Sequence, residues 1–277
     1  MQKLRKWFGS VVVLVMLIVS AHLVSAAEKD AGSPVLSRIQ KRGTLIVGTA
    51  GNMPPFNMTT KAGEIIGLDA DLAKIMASAM DVKLELQAMD FAKLLPALEA
   101  GEVDMVLSSM TMTPERNLKF AFVGPYFLSG KAFLAREQNT KVVQTQTSQD
   151  INSPDVTLAA LKGSTSQSFV EKVTSKAKLI TVQNYDEAIE LVSLGEVDAL
   201  VADYPFCAVS VFRYPDKGLV TTSKPLTYEP LGVAVAPHDS LLINWLSNLL
   251  QTVEGSGQLE QLRARWFHKG DWIQQLP

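Results

Sequence analysis

The sequence predicts an α/β protein built as two similar lobes, each a mostly parallel sheet flanked by helices. Two observations carry that prediction. Strand-period and helix-period runs alternate from Thr44 to Leu107, and the alternation restarts near Val156. The tetrapeptide Gly-Glu-Val-Asp occurs at 101–104 and again at 195–198, each time after an amphipathic run and before a short apolar one. A glycine followed by a polar residue is an ordinary helix-to-strand joint, so the repeat gains its weight from the residues beyond it. Ser109, Thr111 and Arg116 come after the first copy, and Asp203 comes after the second. A cation beyond one strand and an anion beyond its counterpart suit the grip of a zwitterion.

The chain opens with a segment outside this pattern. Lys3, Arg5 and Lys6 precede a nearly unbroken apolar run from Val11 to Val24, and Val24-Ser-Ala26 supplies small residues. This is the pattern of a secretory leader over 1–26, cleaved near Ala26, and the apolar run is short for a membrane span of ~30 Å. Losing the leader leaves 23 Lys and Arg against 28 Asp and Glu, a formal charge of −5. That balance argues against nucleic acid or an anionic membrane as partner. Cys207 is the single cysteine, so no intramolecular disulfide forms and no acyl anchor follows the leader. The expected location is a Gram-negative periplasm, with the mature chain free and monomeric.

The elements come in a regular order. Thr44–Gly48 reads as a strand, and the loop 49–56 is held in a fixed path by Pro54 and Pro55. Residues 59–67 read as a hairpin or loop. Asp69 is expected to cap a helix through Met80 with Leu72, Ile75, Met76 and Ala79 on its inner face. Val82–Ala88 alternates as a strand. Asp90 is placed to cap a helix over Phe91–Ala100, ended by Gly101 and bent by Pro96. Val103–Leu107 is the third strand. Thr113-Pro-Glu115 begins a helix, and Arg116 sits in its first turn, where the helix dipole disfavours a cation. Residues 120–126 read as loop through Gly124-Pro125, and Gly130–Ala135 as a strand leading out of the first unit. The second unit repeats the order: a strand at Val156–Leu161, a helix near Phe169–Val173, a strand at Ala177–Val182, a helix capped by Asp186 and ended by Gly195, and a strand at Val197–Val201. Leu231–Ala236 is a strand, Ser240 caps a helix interrupted by Gly255-Ser-Gly257, and a last helix ends at Phe267. Coming after the second unit, these helices are expected to return to the first. The lobes then comprise 38–128 with 230–270, and 129–229.

Ligands of open α/β sheets bind outside the carboxyl ends of the strands. Four such ends are legible: 53–56, 109–116, 163–166 and Asp203. Arg116 can hold a carboxylate through paired N–H bonds. The residues 163–166 open a helix whose free N–H groups favour an anion. Asp203 can accept from an ammonium. The rival readings are ordinary ones: a surface Arg116 paired with Glu115 or Asp104, a solvated Asp203, and Ser109 and Thr111 as turn formers. The common placement of these residues favours the site. No phosphate loop, metal-ligand cluster, cofactor motif or nucleophile with a neighbouring base is visible, and Cys207 reads as a core thiol.

From about Gly43 to Phe267 the chain resembles the family 3 solute-binding proteins, the periplasmic receptors of polar amino-acid ABC transporters. The resemblance rests on Val47-Gly48 with Pro54-Pro-Phe56, Gly67-Leu-Asp-Ala-Asp-Leu72, Leu95-Pro-Ala-Leu98 with Gly101-Glu-Val-Asp104, Met110-Thr-Met-Thr-Pro-Glu-Arg116, Gly124-Pro-Tyr126, Gly163-Ser-Thr165 and Asp198-Ala-Leu-Val-Ala-Asp203. It implies a type II periplasmic-binding-protein fold, two lobes joined by two hinge strands and closing on an L-α-amino acid or a similar zwitterion for an inner-membrane ABC permease. It implies that Arg116, with Thr111 and Thr165, holds the ligand carboxylate. Asp203 and the Ser109 region would hold the ammonium, and Phe91 would line the side-chain pocket. Met53 stands where such receptors often carry a stacking aromatic residue, which leaves the preferred side chain open. Two other functions are compatible with this fold. A dehydratase-like enzyme needs a proton-donating acid in the cleft, for which Glu64 and Glu229 are the candidates. A sensor module normally continues into a membrane span, whereas this sequence stops at Pro277.

Overall fold

The computed structural model describes residues 33–139, Val142 and 151–277; the expected leader and most of the polar stretch 138–153 lie outside the described residues. Among the described residues no helix is long and apolar enough to cross a membrane. The chain folds as two five-stranded sheets with helices around them, the expected two-lobed α/β architecture.

In the first half, α1 (Pro34–Arg42) begins with a proline and ends at Gly43 in the left-handed conformation. It leads into β1 (Thr44–Thr49), whose Leu45 and Val47 are fully buried. Strands β2 (Asn52–Met53), β3 (Asn57–Thr59) and β4 (Ile65–Ile66) make a small antiparallel sheet. The turn before α2 (Leu68–Ala79) is tight enough that a Cβ on Gly67 would lie 2.1 Å from the Phe56 carbonyl oxygen, at φ 128°. Only glycine fits there. Strand β5 (Lys83–Ala88), helix α3 (Phe91–Ala100), the short β6 (Met105–Val106), the single turn α4 (Pro114–Asn117) and β7 (Ala121–Ser129) complete the unit. Pro96 lies inside α3, which continues through it.

The second half contains β8 (Lys131–Arg136), β9 (Thr157–Leu161), α5 (Thr165–Val173), β10 (Lys178–Val182), α6 (Tyr185–Leu194), β11 (Ala199–Asp203), α7 (Tyr204–Arg213) and β12 (Leu219–Thr221). Strand β13 (Glu229–Val235) returns to the first sheet, followed by α8 (Ser240–Gly255) and α9 (Gln258–Phe267). The sheet orders are β5-β1-β6-β13-β7 and β10-β9-β11-β8-β12. In each, three strands are parallel and the last two run antiparallel to their neighbours, so the sheets are mixed. The chain passes between sheets at Gly130 and again between β12 and β13. A Cβ on Gly130 would stand 2.2 Å from the Thr227 carbonyl oxygen, so the two connections pass with no room for a side chain.

The returning helices are tied to the first half, as expected. The Trp266 indole donates to Asp71 at 2.9 Å, and Arg263 donates to the Tyr126 carbonyl at 2.7 Å. The repeated tetrapeptides do matching work. Gly101 and Gly195 both end a helix at positive φ. Asp104 accepts the Ile46 N–H at 2.9 Å, and Asp198 accepts the Thr157 N–H at 2.8 Å, each clamping the neighbouring parallel strand. Asp104 also pairs with Arg38 and Arg42, and so is not the partner of Arg116.

Several expected elements differ. Residues 120–126 are mostly strand, not loop: Gly124-Pro125 is accommodated because β7 is an edge strand whose register shifts opposite Leu231–Val233, where no ladder donor is missed. Three caps stand a residue or two from their expected positions, and Asp90 stands at the expected N-cap without a side-chain capping bond. Asp69 lies inside the first turn of α2, where tertiary donors claim its carboxylate, and Asp90 pairs with Lys93 instead of the helix N–H groups. Asn184 and Asp239, not Asp186 and Ser240, accept the helix-start N–H bonds at 2.9 Å. On α2, Ala73 and Ala77 are buried and Ala79 is exposed. Helix α7 and strand β12 are absent from the sequence reading. Cys207 is fully buried on α7, and burial pushes its thiol well above the usual range, consistent with a core thiol.

Candidate functional site

The carboxyl ends of β6 and β11 face each other across the cleft between the sheets. Its floor is a cavity lined by Met53, Phe91, Ser109, Thr111, Thr165 and Asp203, six of the seven residues picked out from the sequence. The cavity measures only about 10 Å³, room for roughly one water. The side chains of the two halves therefore meet: the Thr111 and Thr165 hydroxyls lie 3.3 Å apart.

Arg116, the seventh residue, borders this cavity. Thr113 accepts the Arg116 N–H at 3.2 Å, the expected cap of α4. The guanidinium then reaches into the cleft, where Nη1 donates to the Thr111 carbonyl at 2.8 Å and Nη2 to the Gly163 carbonyl at 3.1 Å, one from each half. It also lies 5.8 Å from the centre of the Phe91 ring. Burial lowers its pKa, only partly opposed by the charges of Glu229 and Asp203. Glu115 pairs with Lys172, and no carboxylate lies within ion-pair distance of Arg116 among the described residues. Two of the five guanidinium N–H groups are occupied by these carbonyls, and three remain to donate.

The start of α5 adds donors. Ser164 caps the helix by accepting from the Gln167 N–H at 3.2 Å. The Gly163 N–H is taken by the Gln167 side chain and the Ser164 N–H by the Leu161 carbonyl, so these two are not free as expected. The N–H groups of Thr165 and Ser166 make no hydrogen bond among the described residues. They stand at the positive end of the helix.

Sequence reasoning misses Lys131. Its ammonium lies 2.6 Å from Asp203 Oδ1 and 3.6 Å from Glu229 Oε2, with the Lys131 and Asp203 side chains only 3% and 4% exposed. The expected ammonium acceptor thus already holds an ammonium from the chain itself. Lys131 is the first residue of β8, where Phe133 and Leu134 are fully buried. Each such side chain contributes roughly 1.5–3 kcal/mol by leaving water, which offsets the cost of drawing a lysine inside. A charge opening a strand whose next four residues, Ala132–Ala135, are apolar is the available signal.

A buried carboxylate organises Ser109. The Ser109 backbone has φ 45°, a conformation uncommon for a residue other than glycine. Asp69 holds it, accepting from the Ser109 N–H at 2.9 Å, Asn57 Nδ2 at 2.7 Å and the Tyr126 hydroxyl at 2.7 Å. The Ser109 hydroxyl donates to the Met53 sulfur at 2.9 Å, so the thioether is engaged within the site. Burial raises the Asp69 carboxyl to about 6, against the pull of these three donors. Asp69 reads as a cap in the sequence because its partners are remote along the chain.

Neither of the candidate proton donors, Glu64 and Glu229, lines this cavity. Glu64 is exposed and lines a separate groove with Asp71 and Trp272. Glu229 is held between Lys131 and the Thr227 hydroxyl. A wider groove of about 880 Å³ runs along β7, but its charged residues Arg263 and Glu254 pair with each other at 2.9 Å, and it holds none of the residues above.

Residues 45–269 match the family model of the bacterial extracellular solute-binding proteins, family 3. An ancestral amino-acid-binding protein described as a precursor of cyclohexadienyl dehydratase is 37% identical, with 84% of this chain and 99% of that one aligned and a TM-score of 0.77. A putative ABC-transporter binding component from Wolinella succinogenes, complexed with lysine, is 35% identical over the same shares with a TM-score of 0.79. A probable histidine-binding protein of Neisseria gonorrhoeae is 27% identical over 96% of this chain and 97% of its own.

Proposed function

The chain belongs to the family 3 bacterial extracellular solute-binding proteins and has the two-lobed type II fold of periplasmic binding proteins, and from that premise we propose that it is a periplasmic receptor that traps an L-α-amino acid between its lobes and delivers it to an inner-membrane ABC permease. The lobes are residues 38–128 with 230–270, and 129–229. The observation that carries the reading is Arg116: a half-buried cation in the cleft with main-chain partners and, among the described residues, no carboxylate partner, beside the unclaimed N–H groups of Thr165 and Ser166. A cation drawn partly out of water favours a counter-charge, and a ligand carboxylate supplies it.

The ligand carboxylate is held by Arg116, Thr111 and Thr165, with the start of α5 contributing N–H donors. Its ammonium donates to the Asp203 oxygen that Lys131 does not engage, and to the Ser109 region. Phe91 and Met53 border its side chain. The cavity is too small for an amino acid in this arrangement, so the lobes part for entry and close by exchanging the Arg116–carbonyl bonds for bonds to the ligand. The chain acts as a monomer without cofactor, exported with removal of the leader near Ala26. Binding, not catalysis, is its role, because the cleft acids are engaged by Lys131.

A thermal-shift screen with the common amino acids tests this. A ligand that binds only the folded state at one hundred times its Kd adds about 2.7 kcal/mol of stability, an easily measured rise in melting temperature. No rise with any amino acid would reject the reading.

A further inference from the structure

Resting on the receptor reading, we infer that Lys131 makes this site selective for amino acids whose side chain carries no charge, and that it excludes arginine and lysine. The geometry supplies the reason. Among the residues lining the cavity, Asp203 is the single carboxylate, and Lys131 Nζ already occupies its Oδ1 at 2.6 Å. Glu229, the other acid nearby, is committed to Lys131 at 3.6 Å and to the Thr227 hydroxyl at 3.2 Å. Arg116 and Lys131 together match Asp203 and Glu229 in charge, and Asp69, behind Ser109, is occupied by its own three donors.

A zwitterion preserves that balance. Its carboxylate meets Arg116, and its ammonium shares Asp203 with Lys131. The ammonium or guanidinium of a basic side chain would find no carboxylate left among the cavity residues, and would bring a third cation beside Arg116 and Lys131. An unpaired charge in a dry cleft is strongly disfavoured. An acidic side chain upsets the balance in the other direction. What remains around the ligand side chain is largely apolar: Met53, Phe91, Leu161 and the Tyr185 ring. The closely similar structure from Wolinella succinogenes is complexed with lysine, so the inference separates this chain from a protein of the same fold and 35% identity.

Lys131 is fixed in place for this purpose. Its backbone N–H donates to the Thr227 hydroxyl at 2.9 Å, and the Gly130 crossing immediately precedes it. The ammonium is therefore held where the two connections between lobes run side by side, and it stays with the site when the lobes move.

Calorimetric titration of the purified protein with neutral, basic and acidic amino acids tests the inference without any variant. The expected result is binding of one or more neutral amino acids, with arginine, lysine and glutamate at least a hundredfold weaker. Arginine or lysine bound as tightly as the best neutral ligand would overturn the inference and leave the receptor reading standing. No binding by any amino acid would overturn both. Lys131→Met then assigns the cause. Checked for folding by circular dichroism, it should gain at least tenfold for arginine or lysine relative to the neutral ligand, whereas Lys131→Arg should keep the original ranking. An unchanged ranking in a folded Lys131→Met protein would remove Lys131 as the determinant.

Discussion

The hydroxyls of Thr111 and Thr165 meet at 3.3 Å although they stand on different halves of the molecule. Arg116 spans the same gap, donating to the Thr111 carbonyl on one side and the Gly163 carbonyl on the other. Contacts that cross a cleft are the ones a ligand must join or replace, so variants at these positions test the site most directly.

Arg116→Ala should abolish amino-acid-induced stabilisation, and Arg116→Lys should weaken binding by at least ~10-fold, because a point charge cannot reproduce a two-pronged bond to a carboxylate. Isothermal titration separates these outcomes. Wild-type affinity in the lysine variant would contradict the carboxylate role.

Asp203→Ala should both remove binding and destabilise the protein. It leaves Lys131 buried with only Glu229 at 3.6 Å, and breaking a buried pair by removing one partner costs ~3–5 kcal/mol. The double variant Asp203→Ala with Lys131→Met should recover most of that loss in urea unfolding while remaining unable to bind. Additive losses would show that the two residues do not act as a pair.

Asp69 should make stability depend on pH in a specific direction. Its folded-state pKa of about 6 lies above the ordinary value of 3.8, so the folded protein holds this proton more tightly than the unfolded chain. The contribution is complete below about pH 3.8 and is lost as pH rises through about 6. The difference corresponds to about 3 kcal/mol. Relative to Asp69→Asn, the wild type should therefore lose stability between pH 4 and 6.5, approximately in that amount. Parallel pH profiles for the two proteins would refute it.

Asp104→Ala and Asp198→Ala should lower stability without altering affinity. Each carboxylate satisfies a strand N–H that would be left without its acceptor, a loss of ~1–3 kcal/mol. Urea midpoints should fall, while the Kd for the best amino acid should stay within about twofold. A large change in Kd would move these residues into the binding machinery.

Much of this protein is legible from local pattern. The alternation of strand and helix periods, the glycines ending α3 and α6, and the repeated Asp shortly before β6 and β11 all act over a few residues. So does the cap of α4 by Thr113. The candidate residues are legible because strand ends, where ligands of such sheets bind, can be read from the same pattern. Six of the seven line one cavity and the seventh borders it. Periodicity fails at β7, where Gly124-Pro125 signals a turn and only the sheet edge and its register shift explain a strand.

What the tertiary structure alone decided is the pairing of charges. Lys131 and Asp203 lie 72 positions apart, and Asp69 finds its donors at Asn57, Ser109 and Tyr126. Nothing local in the sequence distinguishes a helix cap from the buried carboxylate that Asp69 becomes, or an ordinary strand lysine from the buried partner of Asp203 that Lys131 becomes. The physical reason is that a charge takes its meaning from which opposite charge burial brings within about 3 Å, and burial is a property of the whole fold. By itself the sequence picked out the strand ends that line the cavity and Arg116 beside them; the folded chain decided that Asp203 stands there paired with Lys131.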